Sequence, residues 1–216
     1  DGPRALQACG IEAPNSRDLE ARISSDKFNT LIDYCNQALG SHDFSIQVAK
    51  QFQPSMFHVL GYAMMSSSSL KEALQRIAKY KQILSNSSEM SLIEDNENLI
   101  FNMALFTRQQ DNRKILSREV VETWLATLVQ FSRELLDSEL ALKKVFLSYP
   151  KPQYDTHYLN DYFQCDVEFD ADTSMLVFDL AQANVPLLSG NPQVNQMHEK
   201  LLTELLGRVN KDDLTN

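Results

Sequence analysis

The chain has 216 residues, 43% hydrophobic and 23% charged, with a formal charge of −9 from 20 basic and 29 acidic residues. That suffices for one large soluble domain with a sizeable core. No apolar run reaches the ~18 residues of a membrane span. Lys and Arg are scattered, as at Lys143-Lys144 and Lys79-x-Lys81, which argues against a phosphate-neutralising surface on these residues alone. The three cysteines, Cys9, Cys35 and Cys165, are too few and odd in number for a disulfide scaffold. They fit free thiols in a reducing cytoplasm. The opening DGPRALQACG has neither an initiating Met nor a hydrophobic leader, so it reads as part of a longer chain without a signal peptide.

In chain order, residues 3–9 predict a short helix closed by Gly10, and Asn15 to Ala21 a second short helical piece. Ser24-Ser25-Asp26 is a helix start. Phe28, Leu31, Ile32, Cys35 and Leu39 then recur at helical spacing until Gly40. Phe44, Val48, Ala49 and Phe52 predict another short helix. Residues 54–74, PSMFHVLGYAMMSSSSLKEAL, predict a helix, a serine-rich break and a second helix. Ser55 is placed to cap the first. Met56, Val59, Leu60, Ala63 and Met64 share one face, and Gly61 in mid-helix suggests a close approach. Ser69-Leu70-Lys71-Glu72 has capping-box spacing.

From Glu89 the period changes to two. Met90 and Leu92, then Leu99, Phe101, Met103 and Leu105, alternate around the turn residues Asp95-Asn96-Glu97-Asn98, predicting a hairpin. Thr107 to Lys114 reads as a loop. A long helix from Ser117 carries Val120, Trp124, Leu128, Phe131 and Leu135 on one face. Leu142 to Tyr149 reads as a strand, Tyr154 to Phe163 as a short helix, Cys165 to Phe169 as an edge strand and Met175 to Phe178 as another strand. After a loop from Pro186 to Pro192, a last helix carries Val194, Met197, Leu201, Leu205 and Val209. The polar tail, residues 210–216, reads as a linker. The expectation is an α+β fold: a helical N-terminal half packed on a small antiparallel or mixed sheet of about five strands, closed by a C-terminal helix.

Chemical motifs are sparse. Ser68-Ser69-Leu70-Lys71 matches the S-x-x-K of serine nucleophiles, but S-D-N and K-T-G partners are missing, and capping accounts for the same residues. His42, His58, His157 and His198 are dispersed without metal-ligand spacing. Six glycines in no G-x-G-x-x-G or Walker order exclude the usual nucleotide cradles. No cofactor or metal is expected. What remains is a small-molecule pocket, apolar with a few polar groups. Its candidate lining is His58, Tyr62 and Met65 on one side of the central helix, Tyr80 on the next helix and Trp124 on the long one. Ordinary core packing explains the same aromatics. Met197, Leu201 and Leu205 on the last helix serve either the domain's own core or pairing with a second copy.

The segment Leu60–Leu74, LGYAMMSSSSLKEAL, resembles the signature of the N-terminal, arabinose-binding-like regulatory domain of AraC/XylS-type bacterial transcription regulators. The resemblance extends through Val145-Phe146, Pro150, Tyr162-Phe163-x-Cys165-x-Val167-x-Phe169 and Leu176-x-Phe178 to Pro186-Leu187, covering roughly residues 5 to 205. It implies a cytoplasmic, non-enzymatic effector-binding and dimerisation domain at 1–209. A linker starting at 210–216 would lead to a helix-turn-helix DNA-binding domain outside this chain. The partners implied are a small-molecule effector, a second copy of the chain and, through the missing domain, DNA. The prototype sugar regulator of the wider family uses a β-rich, cupin-like domain. The helix-rich front half here departs from it, so its barrel and sugar site are not carried over. The alternative is a stand-alone sensor or enzyme with a site near His58 and Tyr62, assisted by Ser68 or Lys71.

Overall fold

A computed structural model describes residues 2–12, 22–106, 116–136, 139–140 and 142–215. The helix expected at Asn15 to Ala21 and the loop expected at Thr107 to Lys114 lie outside the described residues. The architecture is α+β, with helices α1 (Gly2–Ala8), α2 (Ser25–Leu39), α3 (Phe44–Lys50), α4 (His58–Met65) and α5 (Leu70–Tyr80) preceding the first strand. Strands β1 (Ser88–Glu94) and β2 (Asn98–Leu105) are followed by α6 (Arg118–Leu136), β3 (Leu142–Phe146), α7 (His157–Phe163), β4 (Val167–Glu168) and β5 (Ser174–Asp179). A short α8 (Leu180–Ala183) and the long α9 (Pro192–Thr215) end the chain.

The hairpin forms because Asp95 Oδ1 accepts from the amides of Glu97 and Asn98 at 2.9 and 2.8 Å, closing the turn that the polar tetrad predicted. The sheet order is β1-β2-β5-β3-β4. Its pairs are antiparallel except the parallel, two-residue contact of β3 with β4 at the edge. Register places Leu92, Phe101, Leu176, Val145 and Val167 in one cross-strand row, and Leu99, Phe178 and Leu142 in the next. These rows face the helices, with Phe101, Leu176, Val145, Leu99 and Phe178 buried. Side-chain alternation thus fixes which face is covered. Helix α6 runs through the core and is buried on more than the expected stripe: Val121, Leu125 and Val129 are as enclosed as Val120, Leu128 and Phe131.

Three local expectations are corrected. Pro54–Phe57 is a separate 3-10 turn rather than the first turn of α4, and Ser55 makes no capping bond. His58, at φ 49°, breaks the path between them. The strand after α6 ends at Phe146, well before Tyr149, because Tyr149 turns inward to a buried carboxylate. Helix α7 starts at His157 rather than Tyr154. Residues 210–215, expected as the start of a linker, are helical and continue α9.

The suspected close approach at Gly61 is real. A Cβ there would fall 1.9 Å from the carbonyl oxygen of Pro54, so the 3-10 turn folds directly onto the face of α4. Gly61→Ala is expected to cost about 1–3 kcal/mol through overpacking, read as a lowered urea midpoint. Gly207→Ala on α9, where nothing lies within 4 Å, should be neutral or stabilising by up to about 1 kcal/mol. Equal stability of the two variants would contradict the contact.

Candidate functional site

The serine-rich break joins three parts of the chain. Ser69 caps α5, accepting from the Glu72 amide at 3.2 Å. The Glu72 carboxylate reaches back one residue further than a capping box requires, to the amide and hydroxyl of Ser68 at 2.6 and 2.5 Å. The loop before α9 is pinned to the same break: Leu187 donates its amide to the Ser68 carbonyl at 2.9 Å, and Asn191 to that of Ser66 at 3.1 Å. Asn191 then caps α9 through Oδ1, accepting from Gln193 and Val194 at 3.1 Å each, with Pro192 at the first helical position.

At the centre of this junction sits Arg76, only 7% exposed. Its guanidinium donates to the Ser67 hydroxyl, to Glu72 at 2.8 Å, to the Asn195 side-chain oxygen and to Glu199 at 3.4 Å. Nearby, Tyr80 donates to Glu199 at 2.7 Å and lies 3.1 Å from the Thr203 hydroxyl. His198 Nδ1 is 3.2 Å from the Ser66 hydroxyl. Helix α9 therefore docks through Asn195, His198, Glu199 and Thr203 together with buried Leu202. The stripe read from apolar periodicity faces elsewhere: Met197 and Leu201 are 66% and 48% exposed, and Leu205 is half-buried.

A cavity of about 620 Å³ opens between the start of α2, the first half of α6 and the segment that leads from α5 into β1. Arg22, Ser25, Phe28, Leu84, Ser87 and Trp124 are among the residues that line it. The Ser25 and Ser87 hydroxyls are 2.7 Å apart. Arg22 donates to the carbonyls of Gln82 and Ile83 at 2.9 and 3.2 Å. The Trp124 ring stacks on Phe57, with centroids 5.5 Å apart. A second cavity of about 240 Å³ is lined by Pro54, Met65, Phe131, Glu134, Leu135, Leu188 and Ser189.

A third polar cluster went unread in the sequence. Glu122, 1% exposed, accepts from Ser45 at 2.8 Å, Tyr149 at 2.5 Å and Tyr158 at 3.2 Å. Arg118 Nε lies 3.8 Å away. Burial pushes the Glu122 carboxyl above its ordinary range despite these donors. Burial and the neighbouring Glu122 drive the Tyr149 and Tyr158 hydroxyls far above theirs. The cluster ties α3, α6, α7 and the exit of β3 together, and the three hydroxyls satisfy the carboxylate while Arg118 adds its charge beside it. Its only trace in the sequence is an acidic residue three before Leu125 and seven before Val129, on a buried helical face.

The five residues expected around one pocket do not converge. Trp124 lines the larger cavity and Met65 the smaller. Tyr80 is buried and holds α9. His58 and Tyr62 face outward. In the S-x-x-K match, the Ser68 hydroxyl bonds Glu72 and Lys71 pairs with Glu94. All three cysteines are free and half-buried. Among the described residues no group of three or more His, Cys, Asp or Glu is arranged to hold a metal, and no helix is long and apolar enough to cross a membrane.

Comparison with known proteins places these features. Residues 1–187 match the family described as the arabinose-binding domain of AraC transcription regulators, N-terminal. The chain belongs to this family. It is 26% identical over 202 residues to the ornithine utilization regulator of Pseudomonas aeruginosa, a match spanning 92% of this chain and 56% of that protein. The chain thus spans about half the length of that relative. The crystal structure of the transcriptional regulator CdpR from Pseudomonas aeruginosa superposes with a TM-score of 0.58 at 16% identity, over 96% of this chain and 64% of that one. At that identity the likeness is one of fold. The AraC-type signature Leu60–Leu74 thus coincides with the junction that holds α9 in this regulatory domain.

The electrostatics of that junction give the regulatory domain an acid sensitivity. Burial pushes the Glu72 carboxyl up, but bonds from Ser68 and Asn195 and the charge of Arg76 outweigh it and hold the group down to about 2, against 4.5 ordinarily. Burial, then Arg76, lowers His198 below its ordinary 6.5. Both groups bind protons more readily unfolded than folded. Their contributions are complete above 6.5 for His198 and 4.5 for Glu72, and are lost as pH falls through the folded values. Thermal unfolding across pH should show Tm dropping below pH 6.5 and again below 4.5. His198→Gln is expected to flatten the first drop and Glu72→Gln to shrink the second while lowering Tm at neutral pH. Curves for both variants parallel to the parent's would contradict the assignment.

Proposed function

We propose that this chain is the effector-sensing and self-associating part of an AraC-type transcription regulator, acting on a DNA-binding domain in the rest of the protein. The observation that carries the reading is the dual character of α9. One side is clamped to the signature segment and α5 through Ser66, Arg76 and Tyr80, while the other presents Val194, Met197 and Leu201 to solvent. A helix fixed on one side and apolar on the other suits both pairing with a second copy and conveying the domain's state along the chain.

The effector site in this reading is the cavity beside Trp124. From there a packed path leads to α9: Trp124 stacks on Phe57, the turn containing Phe57 rests on Gly61 of α4, and α4 ends at the serines that meet Arg76 and His198. An effector acts by binding one arrangement of this path more tightly than another. The regulator relatives and the engagement of Ser68 and Lys71 in structural bonds favour a non-catalytic domain. The ornithine utilization regulator gives an amino acid as one effector class to test.

Two measurements check this. A metabolite screen by thermal shift should find a stabilising compound, worth about 2.7 kcal/mol at 100 times its dissociation constant. Sedimentation should show self-association that Met197→Asp with Leu201→Asp abolishes. The double variant should change folding stability little, since surface substitutions usually fall within about 0.5 kcal/mol. A parent chain that stays monomeric at tens of micromolar, or a double variant that still pairs, would remove α9 from the interface.

A further inference from the structure

The cavity beside Trp124 has a wall of two kinds. Phe28, Leu84, Leu116, Val120 and Trp124 are apolar, whereas Ser25, Ser87 and their serine and Asn86 neighbours offer hydroxyl and amide groups. One described lining residue carries a charge, Arg22, and no Asp or Glu lies among the described lining residues. Arg22 is held at the rim by its two bonds to the Gln82 and Ile83 carbonyls. Both bonds use the same terminal nitrogen, so the planar guanidinium keeps further N–H donors for a guest. An N–H on Nε or Nη1 can give a carboxylate oxygen a charge-assisted hydrogen bond, and the Ser25–Ser87 pair, 2.7 Å apart, adds a hydroxyl donor. A volume of about 620 Å³ falls in the ~300–1,000 Å³ range of sites for drug-sized ligands.

Resting on the effector-binding reading above, we infer that this cavity selects an organic monoanion, with a carboxylate head at Arg22 and an apolar body against Trp124 and Phe28. An ornithine-like molecule fits it poorly. Its two ammonium groups would enter a wall that offers, among the described residues, no carboxylate to pair them. This chain then answers to a different chemistry from the one named in its relative.

The test uses Trp124 as reporter, since it is the one tryptophan in the chain. Sodium decanoate, 1-decanol, decylamine and L-ornithine are titrated below any aggregation threshold while Trp124 emission and Tm are followed. Decanoate is expected to shift the emission saturably, with one site per chain, to raise Tm, and to bind at least about tenfold more tightly than decanol. Arg22→Gln should erase that advantage and leave decanol binding unchanged, while Arg22→Lys should keep part of it. The Lys variant also serves if the Gln variant does not fold. Equal affinity for decanoate and decanol, or preference for decylamine or ornithine, overturns anion selection and leaves the effector role standing. No response of Trp124 to any carboxylate, while another metabolite raises Tm, overturns the cavity assignment. Failure of every metabolite class to raise Tm strikes the effector role itself.

Discussion

A buried guanidinium must be satisfied where it sits, and Arg76 imposes that demand on the domain. It has left water, so each of its donors needs an acceptor. The structure supplies them from the serine break, from α5 and from α9. Satisfying one side chain thus fixes the approach of a helix more than a hundred residues away in sequence. Glu72 belongs to the same solution: its carboxylate bonds Ser68, Arg76 and Asn195 together, closing the network from the opposite side. Leu202 adds apolar burial beneath it.

The remainder of the fold supports this junction. The sheet offers one apolar face, and α6 fills the space above it. Gly61 lets the turn at Pro54–Phe57 lie against α4, which brings Phe57 to Trp124. The cavity, the packed helix α4 and the clamped helix α9 are therefore contiguous. The Glu122 cluster braces the place where α3, α7 and the exit of β3 meet α6. These two polar joints give the helical layer a defined register, rather than a set of helices free to slide.

Much of this was legible in the sequence wherever local rules decide. Strict alternation at Leu99, Phe101 and Met103 gave the buried face of β2, and the Ser69 cap and the Gly61 approach stand as the residue types suggested. What the sequence left unread shares a physical cause. On α9, apolar periodicity pointed to Val194, Met197 and Leu201, yet the docked side is largely polar, because Asn195 and Glu199 answer Arg76 and Tyr80. A period-based reading follows transfer free energy and does not see a face held by paired charges. Tyr80 was grouped with cavity residues since aromatics suit both roles; only its hydroxyl partners on a distant helix decide. Glu122 was missed because a buried carboxylate is favourable only with donors from three other segments, none of them near in sequence. Of the residues lining the proposed cavity, Trp124 was named from the sequence, while Arg22, Ser25 and Ser87 meet it only through tertiary packing.

Amide hydrogen exchange decides whether Arg76 holds α9 in place. Arg76→Leu keeps the apolar stem and removes the charge. Exchange across Asn195 to Leu206 should be faster in this variant, with the protection of β2, β5 and α6 retained. Unchanged exchange on α9, or an equal loss of protection over the whole domain, would contradict a specific clamp and return α9 to ordinary core packing.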